Sequence, residues 1–526
     1  EENSDEEDDE PVPFPIDFDG LSNRVVHLPV PNGNYRNLVS AKEGELLFLS
    51  DNDQGSKMHR FSLEDREVTD LIDAGGFEVT GNGEKLLVYQ GNRYGITSLS
   101  EPEADDLKSG DSYNLSVRID PQAEWQNIFD EMWRVNRDYF YDPNMHGVDW
   151  AAMKEKYEPF LADVKSSDQL YRVMQWMGSE LGVGHHRFGS TGTPLEDQEE
   201  IAGGLLGADY EVANGRYRFA KIYGGLNWNQ DLEAPLMAPG VNVEEGDYLL
   251  AVDGQEVTAE DNLYRFFERT AGRNVDLRVG PNADGSNART VTVTPVEQEY
   301  SLRNRDWVEG NLQKVNEATD GRVAYVYVPN TGGGGFSYFK RYFFPQVNKE
   351  AIIVDERFNG GGQIADYYIE LLMRPYQNSW TYRYGEIQHA PIASIQGPKV
   401  LLIDETAGSG GDLFPYLWRQ NELGPIIGKR TWGGLVGVLG YPEFIDGGSV
   451  TAPNVAFWDE DGYRVENEGV APDIEVEQLP KAVIEGEDPQ LQRAIDEVMR
   501  MLEENPANRP EQPPFEARGS ATFGKG

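Results

Sequence analysis

The residues best suited to chemistry sit in two glycine-rich turns. In Lys399–Leu423, KVLLIDETAGSGGDLFPYLWRQNEL, Ser409 lies inside a turn of small residues. An apolar run of strand length, Val400–Asp404, precedes it. Leu413, Phe414, Leu417 and Trp418 follow at helical spacing, which predicts a helix over Asp412–Leu423. A serine on a strand–turn–helix corner is held clear of the sheet. Its Oγ then faces the free N–H groups and positive dipole end of the next helix. That placement suits a nucleophile, because the oxyanion it creates must meet preorganised N–H donors. A small residue in a plain turn is the competing reading. Ala351–Pro375, AIIVDERFNGGGQIADYYIELLMRP, repeats the plan with a strand (Ala351–Val354), a glycine loop (Asn359–Gly362) and a helix from about Gln363 to Met373. Glycines let backbone N–H groups approach a ligand closely. The two units read together as a nucleophile facing an oxyanion hole. The loop is not G-x-G-x-x-G, and no P-loop pattern occurs, which weakens a nucleotide-binding reading.

A serine nucleophile needs a general base. The chain has six histidines: His27, His59, His146, His185, His186 and His389. His185 is the best placed, directly after a helix predicted over Ser167–Leu181 and the turn Gly182-Val183-Gly184. His186 is its rival, and a structural histidine is the alternative.

Composition narrows the function classes. Lys and Arg number 46 against 91 Asp and Glu, a net charge of -45. This balance disfavours nucleic acid and anionic membrane as partners. With no cysteine, disulfides, thiolate metal sites and a cysteine nucleophile are excluded. No dense metal-ligand cluster such as H-E-x-x-H is present, so no metal or other cofactor is expected. No apolar run of about 18 residues occurs, so no membrane span is expected.

The elements that must position these residues form a multidomain chain. Residues 1–19 read as a solvated acidic linker. Residues 20–115 are rich in short strands and hold a repeat: Val39-Ser40 with Leu46–Leu49 recurs forty positions later as Val79-Thr80 with Leu86–Tyr89. That period suggests blades of a β-propeller, too few to close a ring, so the chain reads as the C-terminal part of something longer, or the other blades lie on a separate chain; a small open β domain is the alternative. Residues 120–198 read as helical, with helices over Pro121–Asp142, Trp150–Val164 and Ser167–Leu181, the last capped by Ser167 or Asp168. Residues 199–298 form a β-rich unit with a helix expected around Ala259–Thr270. Its G-D-x-L-x-x-V-D-G run at Gly246–Gly254 resembles a PDZ domain, a fold that takes peptides by strand addition. Residues 299–482 alternate strand and helix, which predicts an α/β domain with a largely parallel sheet. Residues 488–526 give a final helix, Gln490–Glu504, and an extended tail.

Assembled, these residues resemble the C-terminal half of tricorn protease and its bacterial homologues, in the tail-specific group of serine peptidases. The resemblance rests on D-E-R-F-N-G-G-G (Asp355–Gly362), A-G-S-G-G-D (Ala407–Asp412), G-K-R-T-W-G-G (Gly428–Gly434) and V-E-N-E-G-V-A-P-D (Val465–Asp473). It implies propeller blades, a helical domain, a PDZ domain and an α/β catalytic domain of crotonase/ClpP-like fold. Ser409 matches the nucleophile, His185 the base and Glu466 the carboxylate of the network that holds the histidine. The N–H groups of Gly410 and Gly361 match the oxyanion hole. The archaeal prototype has serine where Gly184 stands and aspartate where Gly410 stands. Related processing proteases use a lysine where Gly434 stands, so a Ser–His mechanism is implied and Lys429 falls elsewhere in the motif. The expected activity is cleavage of oligopeptides into short peptides by a homo-oligomer, a hexamer by resemblance, in the cytoplasm or alternatively the periplasm. The competing readings are a catalytically weak peptide-binding scaffold and acyl transfer on a non-peptide substrate.

Overall fold

The structure is a computed structural model that describes residues 33–52, 55–109, 118–191, 201–438, 441, 443–507 and 510–516, with isolated positions at 18–19, 28 and 30. The acidic linker thus lies outside the described residues except at 18–19, as does the end of the tail. The chain divides into two compact units, Glu1–Ile119 and Asp120–Gly526.

The first unit holds two four-stranded antiparallel sheets. One runs β1 (Asn34–Ser40), β2 (Glu45–Asn52), β3 (Gly55–Ser62), β4 (Glu67–Asp73). The other runs β5 (Gly76–Val79), β6 (Lys85–Gln90), β7 (Arg93–Ser98), β8 (Lys108–Ser109). The sequence repeat falls on the first two strands of each sheet: Val39 pairs with Leu47, and Val79 with Leu86. Leu47, Leu49, Leu86 and Val88 enter one buried cluster, as alternation along a half-buried strand requires.

The second unit opens with helices α1 (Pro121–Tyr139), α2 (Trp150–Tyr157) and α3 (Ser167–Ser179). Asp120 caps α1 by accepting the Gln122 N–H, with Pro121 at the first helical position. The helix expected over Trp150–Val164 stops at Tyr157. A 3₁₀ stretch, Glu158–Asp163, replaces its second half, because Pro159 has no N–H to continue the ladder. The cap of α3 is Ser166, which accepts the Gln169 N–H, rather than Ser167 or Asp168. A short strand, β9 (Arg187–Gly189), follows. Strands β10 (Ala208–Ala213), β11 (Arg216–Ile222), β12 (Tyr248–Val252), β13 (Gln255–Glu256), β14 (Val275–Gly280) and β15 (Arg289–Val293) form a six-stranded antiparallel sheet. The helix expected at Ala259–Thr270 is only a 3₁₀ stretch, Leu263–Phe267. Asp261 and Asn262 accept backbone N–H groups of Thr258 and Tyr264 there, offering the chain an alternative to helix.

The remainder holds α4 (Tyr300–Ala318), β16 (Val323–Tyr327), α5 (Gly333–Phe343), β17 (Ala351–Asp355), α6 (Ala365–Met373), the hairpin β18 (Asn378–Trp380) and β19 (Gln388–Ala390), β20 (Lys399–Ile403), α7 (Gly410–Gln420), β21 (Ile426–Gly428), β22 (Ser449–Thr451), the hairpin β23 (Trp458–Asp459) and β24 (Gly462–Tyr463), β25 (Ile474–Glu475), α8 (Pro480–Ile484) and α9 (Pro489–Glu504). The sheet order β16-β17-β20-β21-β25 is parallel throughout. Phe339 and Phe343 of α5, Tyr368 of α6 and Phe414 and Trp418 of α7 cover one face. Val308 and Val315 of α4 and Leu491, Ala494 and Val498 of α9 cover the other. Both faces are buried, which explains the unbroken apolar runs of these strands. Loops leaving the C-terminal ends of neighbouring strands β17 and β20 meet, where open parallel sheets place their sites.

Candidate active site

Ser409 stands between β20 and α7 at φ 58°, ψ -118°. A non-glycine residue is held in that sparsely populated region only when its surroundings over-determine it. They do so here. The Ser409 N–H donates to Asp412 Oδ2 at 2.8 Å and to the Gly434 carbonyl at 3.1 Å. Gly410 opens α7, so its N–H is one of the first-turn donors that have no intrahelical partner. A Cβ on Gly410 would fall 2.0 Å from Thr331 Oγ1 and 2.3 Å from the Gly362 carbonyl, so only glycine fits.

The loop after β17 lies against this turn. A Cβ on Gly361, at φ +89°, would sit 2.7 Å from the Ser409 Cβ and 3.1 Å from the Gly410 nitrogen. The Gly361 N–H itself donates to Asn359 Oδ1 at 2.9 Å. The Asn359 amide donates in turn to Glu356 Oε2 at 3.1 Å. Glu356 is fully buried, and burial drives its carboxyl well above the ordinary range. Asp404, at the end of β20, accepts the Phe358 N–H at 3.0 Å and the Ala407 N–H at 2.9 Å, which joins the two loops.

His185 lies half-buried on the segment between α3 and β9. That segment is fixed by strands and side chains from the far end of the chain. β9 pairs antiparallel with β22, placing Phe188 opposite Val450. Thr451 Oγ1 donates to the His185 carbonyl at 2.7 Å, and Asn467 donates to the Gly182 carbonyl at 2.8 Å. His146 Nδ1 meets the Leu181 carbonyl at 2.8 Å. The His185 ring packs edge-on against Trp432 with centroids 5.1 Å apart. The same indole presses on Gly408, where a Cβ would come within 2.6 Å of it. Trp432 therefore touches both the histidine and the Ser409 turn. Among the described residues no hydrogen bond joins His185 to Ser409, and His185 Nδ1 is buried without a partner. Burial holds the imidazole below the ordinary histidine value. The Arg187 charge adds to this and Glu466 opposes it.

Glu466 does not bond the imidazole. Its Oε1 accepts the Gly184 N–H at 2.6 Å, while Oε2 accepts the N–H groups of Leu435 and Val436 at 2.7 and 2.9 Å. His186, the rival base, turns inward. Its Nδ1 meets the Gly178 carbonyl at 3.2 Å, its ring packs on Phe188, and burial pushes it down to about 4. Lys429 is held by Glu475 and Glu477 at 2.7 and 2.5 Å. His59 sits in another hydrogen-bonded chain, 2.7 Å from Ser50 Oγ and 2.9 Å from Asp70 Oδ1. Ser50 lies in register on β2, paired with Tyr35 and Lys57, and among the described residues no helix N-terminus adjoins it. His27 is outside the described residues. Among the described residues no cluster of His, Cys, Asp or Glu is arranged to hold a metal ion, and no helix is long and apolar enough to cross a membrane.

Sequence reasoning missed Asp412, Asn359, Glu356 and Trp432. Asp412 alone carried a signal, since S-x-x-D before an apolar run is a capping pattern.

Three stretches match family models: the tricorn protease C1 domain over residues 121–179, the tricorn protease PDZ domain over 204–298 and peptidase family S41 over 322–476. The chain is 32% identical over 517 residues to tricorn protease homolog 1 of Streptomyces coelicolor, spanning 94% of this chain and 48% of that protein. The chain is a tricorn protease homologue. It is 31% identical over 417 residues to tricorn protease of Thermoplasma acidophilum, spanning 79% of this chain and 38% of that one. The crystal structure of the tricorn protease superposes with a TM-score of 0.80 at 27% identity, over 90% of this chain and 47% of that chain. This tricorn homologue thus spans about half the length of the relatives it matches.

Proposed function

We propose that this tricorn homologue is a serine endopeptidase that hydrolyses oligopeptides into short peptides, with Ser409 as nucleophile, His185 as general base and Glu466 as orienting carboxylate. The observation that carries the reading is the strained elbow at Ser409, set on the first turn of α7 against Gly361. His185 takes the Oγ proton as Oγ bonds to the scissile carbonyl carbon. The oxyanion is received by the Gly410 N–H, and by the Gly361 N–H once Asn359 releases it. Collapse breaks the C–N bond, and the imidazolium returns its proton to the leaving amine. Water then enters, gives a proton to His185 and frees the acyl group and Ser409. A histidine lowered by burial is a neutral, competent base near pH 7.

The family relationship also supports the domain plan read from the sequence: blades over 20–115, a helical domain over 120–198, a PDZ-like domain over 199–298, a crotonase/ClpP-like catalytic domain over 299–482 and a C-terminal helix with its tail over 488–526. The two four-stranded sheets of the first unit have the strand count of propeller blades. A homo-oligomer, hexameric as the resemblance implies, and a cytoplasmic location complete the proposal.

The test is hydrolysis of a quenched oligopeptide library by the chain and by Ser409→Ala, with product masses read out. Short products from the wild type and none from the variant support the reading. Equal cleavage by both refutes it.

A further inference from the structure

Among the described residues no direct bond links Ser409 to His185, yet two carboxylates, one buried and one half-buried, join the backbones that carry them. Asp412, fully buried on the first turn of α7, accepts the Ser409 N–H on one side. On the other it accepts the N–H groups of Gly433 at 2.8 Å and Gly434 at 3.1 Å. Glu466 continues the series. It accepts the next two N–H groups, of Leu435 and Val436, and with its other oxygen the N–H of Gly184, one residue before His185. Four consecutive amides, 433–436, are thus divided between two side chains, one reaching the nucleophile and the other the base. The segment belongs to no strand, and Gly433 stands at φ +82°, so no neighbouring strand takes these four N–H groups, and a carboxylate, which accepts several bonds at once, is the group that can satisfy them.

We infer that Asp412 and Glu466 are positioning residues that form a two-ended clamp on residues 433–436 and thereby set the spacing of Ser409 and His185. Asp412 holds the nucleophile's own amide, which keeps the elbow in its strained conformation. Glu466 acts on the histidine through the backbone of Gly184 and not through the imidazole. Gly433 and Gly434 are the length of chain between the two ends. The Asn467 N–H donates to the Gly433 carbonyl at 2.7 Å and fixes that segment from the side. The inference rests on the Ser409–His185 reading, adds Asp412 to it and gives Glu466 a route through the backbone, and neither carboxylate touches substrate or reacting atoms.

The test compares kcat, KM and the pH profile of kcat/KM for the full chain and for Asp412→Ala, Asp412→Asn and Glu466→Gln on a quenched peptide. Misplacing a reacting atom by about an ångström costs about 100-fold in rate. Asp412→Ala is therefore expected to lower kcat by about that factor with KM little changed and the acid limb where it was, because the surroundings of the imidazole are untouched. Asp412→Asn, which keeps one acceptor, falls between. Glu466→Gln lowers kcat and also moves the acid limb downward, since the Glu466 charge opposes the depression of His185. Wild-type kcat in a folded Asp412→Asn, or a loss expressed wholly in KM, overturns the clamp. Amide hydrogen exchange of the wild type decides it even where a variant does not fold. Ser409, Gly433 and Gly434 are expected to exchange slowly and together, and fast exchange of any one of them overturns the clamp. If the wild type cleaves nothing, the peptidase reading falls while the exchange result still judges the clamp.

Discussion

Gly361 and Ser409 approach so closely that a single added carbon on the glycine would fall 2.7 Å from the serine Cβ. The glycine also stands at φ +89°, in the region L side chains avoid. Gly361→Ala is therefore expected to push the loop off Ser409 and to lower kcat by about 100-fold or more, the scale of a lost oxyanion donor. Gly360→Ala is the control, because a Cβ there meets nothing within 4 Å and its φ is ordinary. It should leave kcat near wild type when both are assayed on the same peptide.

Gly184 supplies the next prediction. A Cβ at this position would point at Glu466 Oε1 and at the Gly434 Cα, each 3.0 Å away, while the neighbouring His185 Nδ1 is buried with no partner. A hydroxyl there would face the Glu466 carboxylate, on the residue next to that unpartnered ring nitrogen, and the Cβ contacts require shifts of a few tenths of an ångström. A hydrogen bond to a charged ring is worth about 1.5 kcal/mol, or about tenfold in rate. Gly184→Ser should raise kcat by up to that factor, and Gly184→Val, which crowds Gly434 and brings no hydroxyl, should lower it.

The histidines give the chain an acid-side slope. His186 is pushed down to about 4 by burial, against 6.5 for the free group. The unfolded chain therefore binds the proton first. The neutral His186 contributes stability that is fully present above pH 6.5 and is lost as pH falls toward 4. A shift of this size corresponds to about 3 kcal/mol. His185 is depressed in the same direction. Urea unfolding followed from pH 7 to pH 4 should show stability falling, with a smaller slope in His186→Gln.

Arg357 ties the glycine loop to the end of the chain. It is buried, donates to both oxygens of Asp355, and donates to both oxygens of Asp488 at 2.9 and 3.0 Å. Asp488 also caps α9. Removing one member of a buried ion pair leaves an uncompensated charge and costs about 3–5 kcal/mol. Arg357→Ala should lower stability by that amount, read as a shift in the urea midpoint, with faster amide exchange in α9.

Much of this was written in local signals. The apolar runs at Ala351–Val354 and Val400–Asp404 became the central strands β17 and β20 because parallel strands buried on both faces need no alternation. The forty-residue repeat became the first strands of two sheets. Three helices, α4, α5 and the short α8, escaped the sequence reading. α4 has a weak apolar stripe, and α5 begins in glycines, poor helix formers, whose start is secured by Asn330 accepting the N–H groups of Gly332 and Gly335. The expected helix at Ala259–Thr270 yielded to Asp261 and Asn262, whose side chains compete locally for backbone N–H groups. At the site, Ser409 and the glycine loop were visible as turn chemistry. The linkage from Asp412 to Gly433 and from Glu466 to Gly184 was not, because it joins residues 21 and 282 positions apart, and only the fold brings them together.

The central claim is that Ser409 is a nucleophile activated by His185. The most direct measurement is the rate at which a fluorophosphonate probe labels Ser409 in the wild type and in His185→Ala, with the adduct located by peptide mass. The account predicts labelling at Ser409 alone, slowed by about 100-fold or more without the imidazole, as loss of a general base requires. Equal rates in the two proteins, or an adduct on another serine with Ser409 unmodified, would contradict it.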